Sequence, residues 1–187
     1  MKESGKQKIR IFIGISLSEE ARDYAASKID QLSRLITGVR WVRPENLHIT
    51  LKFIGWCDSS VVPEIVKIMS QCSKFLPAKV SVGGVGGFPS HDRAKVIWVG
   101  AGDIEGKLEK MFRMIDGRLT RMGIKSEKRK YHPHITIGRS SGGPVAVPSI
   151  SERENDSPIF FTVEDIILFE SELKSSGAEY SVLQRIK

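Results

Sequence analysis

Two five-residue stretches, Leu47-His48-Ile49-Thr50-Leu51 and Pro133-His134-Ile135-Thr136-Ile137, alternate apolar and polar side chains and share one His-x-Thr pattern. Period-two alternation demands a strand with one face in a core and the other open, and it excludes a helix. Each His stands two residues from its Thr, so both point to one face while Ile49, Leu51, Ile135 and Ile137 turn to the core. The chain has four histidines and five threonines. Two such matches by random placement have odds of about one in 230, a modest signal for so short a motif. The first expectation is therefore two related halves, each built on such a strand.

The rest of the chain follows similar grammar. Ile9, Ile11, Ile13, Ile15 and Leu17 predict a first strand over 9–17. A helix follows, capped by Ser16 or Ser18, with Ala21, Ala25, Ile29, Leu32 and Ile36 on one face and Gly38 as its stop. A short run, 40–43, is broken by Pro44, and 47–53 is the second strand. Residues 59–72 predict a helix with Pro63 in its first turn. Beyond Pro77, 78–85 and 95–99 read as strands around a Gly-rich turn. The pairs Gly83-Gly84 and Gly86-Gly87 lack the Lys and helix of a phosphate loop and are expected in turns or bulges. Asp103 opens a helix with Ile104, Leu108, Met111, Ile115, Leu119 and Met122 on one face, ended by Gly123. Then come a strand at 134–138, a mobile loop at 140–158, and closing strands at 163–169 and 179–186. Strands and helices without strict βαβ alternation predict an α+β fold with mostly antiparallel pairing.

With 187 residues and 40% hydrophobic side chains, there is material for a real core. No apolar run approaches the ~20 residues of a membrane-spanning helix. The opening segment is basic, then apolar, with no cleavage signature, and is expected to be the first strand of a soluble, cytoplasmic protein. Cys57 and Cys72 form no CxxC and suit a reducing compartment. The net charge of +7 is local: between residues 121 and 139, Arg121, Lys125, Lys128, Arg129, Lys130 and Arg139 face one anion, Glu127. That patch suits a polyanion such as nucleic acid, and a solvated loop is the competing reading.

Two imidazoles across a cleft can divide phosphodiester cleavage, one neutral as general base and one protonated as general acid. Two threonine hydroxyls can then donate to the non-bridging phosphate oxygens, where charge builds. The competing reading is a pair of core histidines, each bonded to a neighbouring strand. His132 and His134 could form two metal ligands on one strand face, yet no Asp, Glu or Cys cluster stands near in sequence, and no metal is expected. His91 has no partner at a meaningful spacing and is expected on the surface.

At this point the chain resembles a family. The doubled His-x-Thr, the opening Arg10-Ile11-Phe12-Ile13, the run from Trp41 through His48 and Thr50 to Gly55, the run from Tyr131 to Arg139, and Tyr180 near the end are similar to the two-histidine phosphoesterase superfamily. The branch they resemble is the prokaryotic RNA 2',3'-cyclic phosphodiesterases, also called 2'-5' RNA ligases. The resemblance implies one bilobal domain over 1–187, with two mostly antiparallel sheets in a pseudo-twofold repeat about a cleft and helices outside. It implies hydrolysis of RNA 2',3'-cyclic phosphate to 2'-phosphate by a monomer, with no metal, cofactor or membrane. Carried over, His48 is the general acid that protonates the departing 3' oxygen, His134 the general base that activates water, and Thr50 and Thr136 hold the phosphate.

Arg139, Arg129, Lys52 and Tyr131 are further candidates for RNA or phosphate contact. By parity Arg139 points away from His134 unless the strand ends or bulges at Gly138. Lys52 shares the face of His48 and Thr50, with a solvated lysine as the alternative. Tyr131 either stacks on a base or packs in the core. Two other functions remain open: an RNA-end binding module without turnover, and 2'-5' ligation by the reverse reaction. Two His-Thr pairs favour the enzyme, because binding alone asks for arginines more than for an acid and a base. The substrate stays open among tRNA halves, oligonucleotides, cyclic nucleotides and ADP-ribose cyclic phosphate.

Overall fold

The first alternating run forms β1 (Lys8–Ser16), and its four odd-numbered isoleucines are all buried. The structure is a computed structural model in which residues 7–149, 157–175 and 177–187 are described. Helix α1 (Glu19–Ser33) starts at Ser18, whose hydroxyl accepts from the Ala21 amide at 3.2 Å. Then follow β2 (Val39–Trp41), β3 (His48–Asp58), α2 (Val62–Ser70), β4 (Ala78–Phe88), β5 (Val96–Asp103), α3 (Lys107–Arg121), β6 (His134–Ser140), β7 (Ile159–Val163), β8 (Ile166–Lys174) and β9 (Gly177–Ile186).

These strands form one antiparallel sheet in the order β7-β4-β5-β6-β3-β1-β8-β9, with β2 also on β6. The two expected sheets are the halves of this one, joined between β3 and β6 at a single pair, Ile49 with Ile135. The ladder stops there for local reasons. One step further, Leu51 would face Pro133, whose carbonyl is turned to β5 and accepts from the Ala101 amide at 3.2 Å. On the other side β2 takes over β6, with Trp41 opposite Gly138 and the Val42 amide donating to the Ile137 carbonyl at 2.9 Å. Beyond that one pair β3 and β6 share no ladder, and residues of both strands border the cleft.

Behind the sheet, α1 packs on β6 and β7 and α3 on β3, so each helix reaches strands of the other half. One apolar cluster runs through both halves.

Several boundaries differ from expectation. Helix α3 starts at Lys107, not Asp103, because Asp103 closes β5 and the chain turns through Gly106 at φ 65°. Ile104 is left exposed, as is Met122 at the other end. Strand β4 runs on to Phe88; its only irregularity is a bulge at Gly84, φ 69°. Gly86 is the bed for an aromatic ring, since a Cβ there would lie 2.1 Å from the Trp98 indole. The expected strand at 163–169 is split, with β7 on β4 at one edge and β8 on β1 in the other half. The expected helix 59–72 is α2 flanked by 3-10 turns. Within 140–158, Val145 bridges Ala94 and Val147 is buried; residues 150–156 lie outside the described residues.

Candidate active site

Antiparallel pairing of Ile49 with Ile135 makes this pair the pivot of the two motifs. In such a ladder His48 lies towards Thr136 and Thr50 towards His134, one of each from each half. Two residues of rise and one inter-strand spacing put the Cα atoms of His48 and His134 roughly 8 Å apart.

The two histidines are held alike. Nδ1 of His48 bonds the Asn46 carbonyl at 2.7 Å, and Nδ1 of His134 bonds the His132 carbonyl at 2.7 Å. A carbonyl only accepts, so each Nδ1 carries the hydrogen, leaving Nε2 as the site that takes or gives a proton. Nε2 of His48 accepts from the Thr50 hydroxyl at 3.0 Å.

Aromatic rings from each half wall in its histidine. Phe12 lies 4.7 Å from His48 and Tyr180 5.3 Å, ring centre to ring centre; Phe88 lies 5.1 Å from His134 and Trp98 6.3 Å. Burial lowers the His48 pKa to about 4; the Asn46 carbonyl opposes the drop, while His134 and Arg139 deepen it. Burial also lowers that of His134, against the His132 carbonyl and with help from His132 and Arg139. Both imidazoles are neutral at pH 7 in the free protein.

A cavity of about 560 Å³ opens on this face, bordered by Thr50, Phe53, Phe88, His134 and Arg139. His48 and Thr136 are not on its wall; His48 meets it through the Thr50 hydroxyl.

Both motif strands bulge one residue after the threonine. Leu51 is skipped between the pairs Gly14–Thr50 and Ile13–Lys52, and Ile137 between Trp98–Thr136 and Ile97–Gly138. Parity therefore inverts in both halves. In the second half this turns Arg139 back onto the cleft face, where its charge reaches both imidazoles and Tyr180. In the first half it turns the Lys52 side chain to the helix side, opposite Ile13, correcting the expectation that Lys52 shares the face of His48, while the residue still borders the cavity. The buried Lys52 ammonium bonds Asp116 of α3 at 2.5 Å and the Lys125 carbonyl at 2.9 Å. Burial pushes the Asp116 carboxyl up, and the bonds from Lys52, Ser126 and the Glu127 amide outweigh it, holding the carboxyl below its usual value.

Tyr131 borders the cavity with its ring stacked on Phe112 at 4.6 Å and its hydroxyl on the Thr50 carbonyl at 3.2 Å, so one ring face is already covered. Arg129 is exposed at the cavity rim and paired with Glu127. Phe12, Phe88 and Trp98 were not singled out from sequence. Their signal was parity, since Phe12 sits on the polar face of β1 between Arg10 and Gly14. Among the described residues, no three His, Cys, Asp or Glu side chains converge on a possible metal position, and no helix is long and apolar enough to cross a membrane.

A duplicated antiparallel sheet that presents one imidazole and one threonine from each half defines a two-histidine phosphoesterase. The LigT-like phosphoesterase model matches twice, over residues 15–98 and 99–180, once around each motif, and the chain belongs to that family. Among its relatives, an RNA 2',3'-cyclic phosphodiesterase of Aeropyrum pernix is 32% identical over 161 residues, covering 84% of this chain and 91% of that one. Another of the same name, from Methanocaldococcus jannaschii, is 31% identical over 94% of this chain and 99% of its own. A crystal structure of a Thermus thermophilus protein superposes with a TM-score of 0.80 at 24% identity, over 95% of this chain and 97% of that one. E. coli LigT complexed with 3'-AMP gives 0.74 at 20% identity, over 96% and 97%. These last two show a common fold.

Proposed function

We propose that this chain is an RNA 2',3'-cyclic phosphodiesterase, a hydrolase that opens the terminal cyclic phosphate to a 2'-phosphate. The observation that carries this reading is the pair of imidazoles from two half-repeats, each anchored through Nδ1 to a carbonyl, which leaves Nε2 as the nitrogen that exchanges a proton. Relatives named for this activity cover nearly the whole chain.

In the proposed reaction, His134 Nε2 takes a proton from water as the water oxygen bonds to phosphorus. The P–O3' bond breaks, and the proton on His48 Nε2 passes to the departing 3' oxygen, leaving a 3'-hydroxyl and a 2'-phosphate. Solvent restores the starting protonation. Because His48 is neutral in the free protein, the acid must be charged in the complex, and the negative charge of the cyclic phosphate raises its pKa. Protonation of Nε2 also releases the Thr50 hydroxyl, which then donates to a phosphate oxygen, as Thr136 does from the other half. Arg139 supplies positive charge beside the developing oxyanion.

The test is an RNA oligonucleotide ending in a 2',3'-cyclic phosphate, incubated with EDTA, with the position of the product phosphate determined. A 2'-phosphate product is expected, and His48→Ala and His134→Ala should each slow its release by about 10² to 10⁴. A nitrophenyl phosphodiester separates the roles, because its leaving group needs no proton: His48→Ala should recover on it and His134→Ala should not. Full activity in the double variant, or binding of the RNA end without turnover, overturns the proposal.

A further inference from the structure

The face that carries His48 does not end at the cavity. Cross-strand partners share a face, so the pairs Phe12–Phe53 and Arg10–Trp56 continue the cleft side of the sheet beyond Gly14–Thr50. Phe12 anchors the assignment, because its ring lies against His48. A second bulge, at Ile54, restores Trp56 to this face after the first has turned Phe53 onto it. Both side chains stand in the open: Phe53 is 49% exposed and Trp56 65%. Between them the Arg10 guanidinium lies over the Phe53 ring at 4.7 Å and bonds the Ser171 hydroxyl at 2.5 Å, held by both. Along β1, six residues separate Ser16, opposite His48, from Arg10, opposite Trp56, a span of roughly 20 Å.

Burial does not account for these rings. A β3 built only to pack would place aromatics on the helix side, where Ile49 and Leu51 are buried. Exposed rings interleaved with a fixed guanidinium are what single-stranded nucleic acid stacks on, since every base has a π-face and every link a negative charge. Charge agrees. Among the described residues, the paired positions on this side of β1, β3, β8 and β9 carry no carboxylate until Asp58, at the far end opposite Lys8; Glu170, Glu172 and Glu179 pair on the other side.

We infer that the stripe Phe53, Arg10 and Trp56 is a stacking track for the single-stranded RNA 5' of the terminal cyclic phosphate. It makes the preferred substrate an oligonucleotide rather than a mononucleotide. The inference rests on the proposed phosphodiesterase reading and adds the substrate class. Phe53, which also borders the cavity, meets the nucleotide nearest the site, and Trp56 one further upstream.

The experiment compares Trp56→Ala with the parent chain on two substrates, a mononucleoside 2',3'-cyclic phosphate and a single-stranded oligonucleotide ending in the same nucleotide. For the oligonucleotide, KM should rise about 5- to 100-fold, the range for one lost stacked base, with Trp56→Phe restoring most of it. For the mononucleotide, KM and kcat should stay within about twofold. Arg10→Ala should lower the salt slope of oligonucleotide binding by about one. An unchanged KM for the oligonucleotide, or equal loss on both substrates, overturns the track. If the parent chain hydrolyses neither substrate yet Trp56→Ala still weakens oligonucleotide binding, the phosphodiesterase reading fails and the track stands.

Discussion

The half-buried His48 makes the fold sensitive to mild acid in a way that can be calculated. Its imidazole is held at about 4, against about 6.5 in an unfolded chain. The folded value is the lower, so between the two the unfolded chain binds the proton more readily and stability falls as pH falls. At pH 7 the folded imidazole is neutral and the unfolded one about a quarter protonated, so the effect shrinks to about 0.2 kcal/mol. From pH 7 to 4.5 the loss amounts to about 2.5 kcal/mol from this residue alone. Carboxyls held below their usual values, Asp116 and Glu127 among them, weaken the fold chiefly below about pH 4, so this window reports mainly on imidazoles. His134 acts in the same direction. His48→Asn removes the titrating group while its amide can still donate to the Asn46 carbonyl. Urea unfolding at pH 7 and 4.5 is the assay. With an m-value of about 2 kcal/mol/M, the parent midpoint should fall by about 1 M more than that of the variant. Equal falls in the two proteins would refute the reasoning.

Because both imidazoles of the free protein are depressed by burial, kcat/KM should peak below pH 6.5, and kcat, which reports the complex, should peak higher; coincident optima above pH 7 would contradict this. Lys52→Met leaves the Asp116 carboxylate without its ammonium partner and should cost about 3 kcal/mol in chemical denaturation; a loss under about 1 kcal/mol would place the pair in the weak surface class. Gly86→Ala drives a methyl into the Trp98 ring and should cost about 1 to 3 kcal/mol with a changed indole emission; an unperturbed spectrum would argue against that packing. Lys128→Glu on the exposed basic loop should weaken oligonucleotide binding and flatten its salt dependence while sparing a mononucleotide substrate; an unchanged salt slope returns the loop to a solvated surface.

Short-range geometry was legible from sequence alone. Period-two alternation made β1, β3 and β6 recognisable and put each His with its Thr on the polar face, because successive side chains of any strand alternate. The Ser18 cap and the apolar stripe of α3 were legible for the same reason, as properties of a few neighbouring residues. What parity could not carry was anything beyond a bulge. Leu51 and Ile137 leave the ladder; that single step brings Arg139 to the cleft, the exception a bulge allowed, and takes Lys52 to Asp116, reversing the reading of its face by one residue of register. The division of 163–169 between β7 and β8 likewise depended on which strands would receive them, β4 at one edge and β1 in the other half. The aromatic walls and the lowered pKa values of the two imidazoles also arose only on folding. They belong to rings brought from β1, β4, β5 and β9, and desolvation is set by what surrounds a group in space, which pairing between distant strands alone decides.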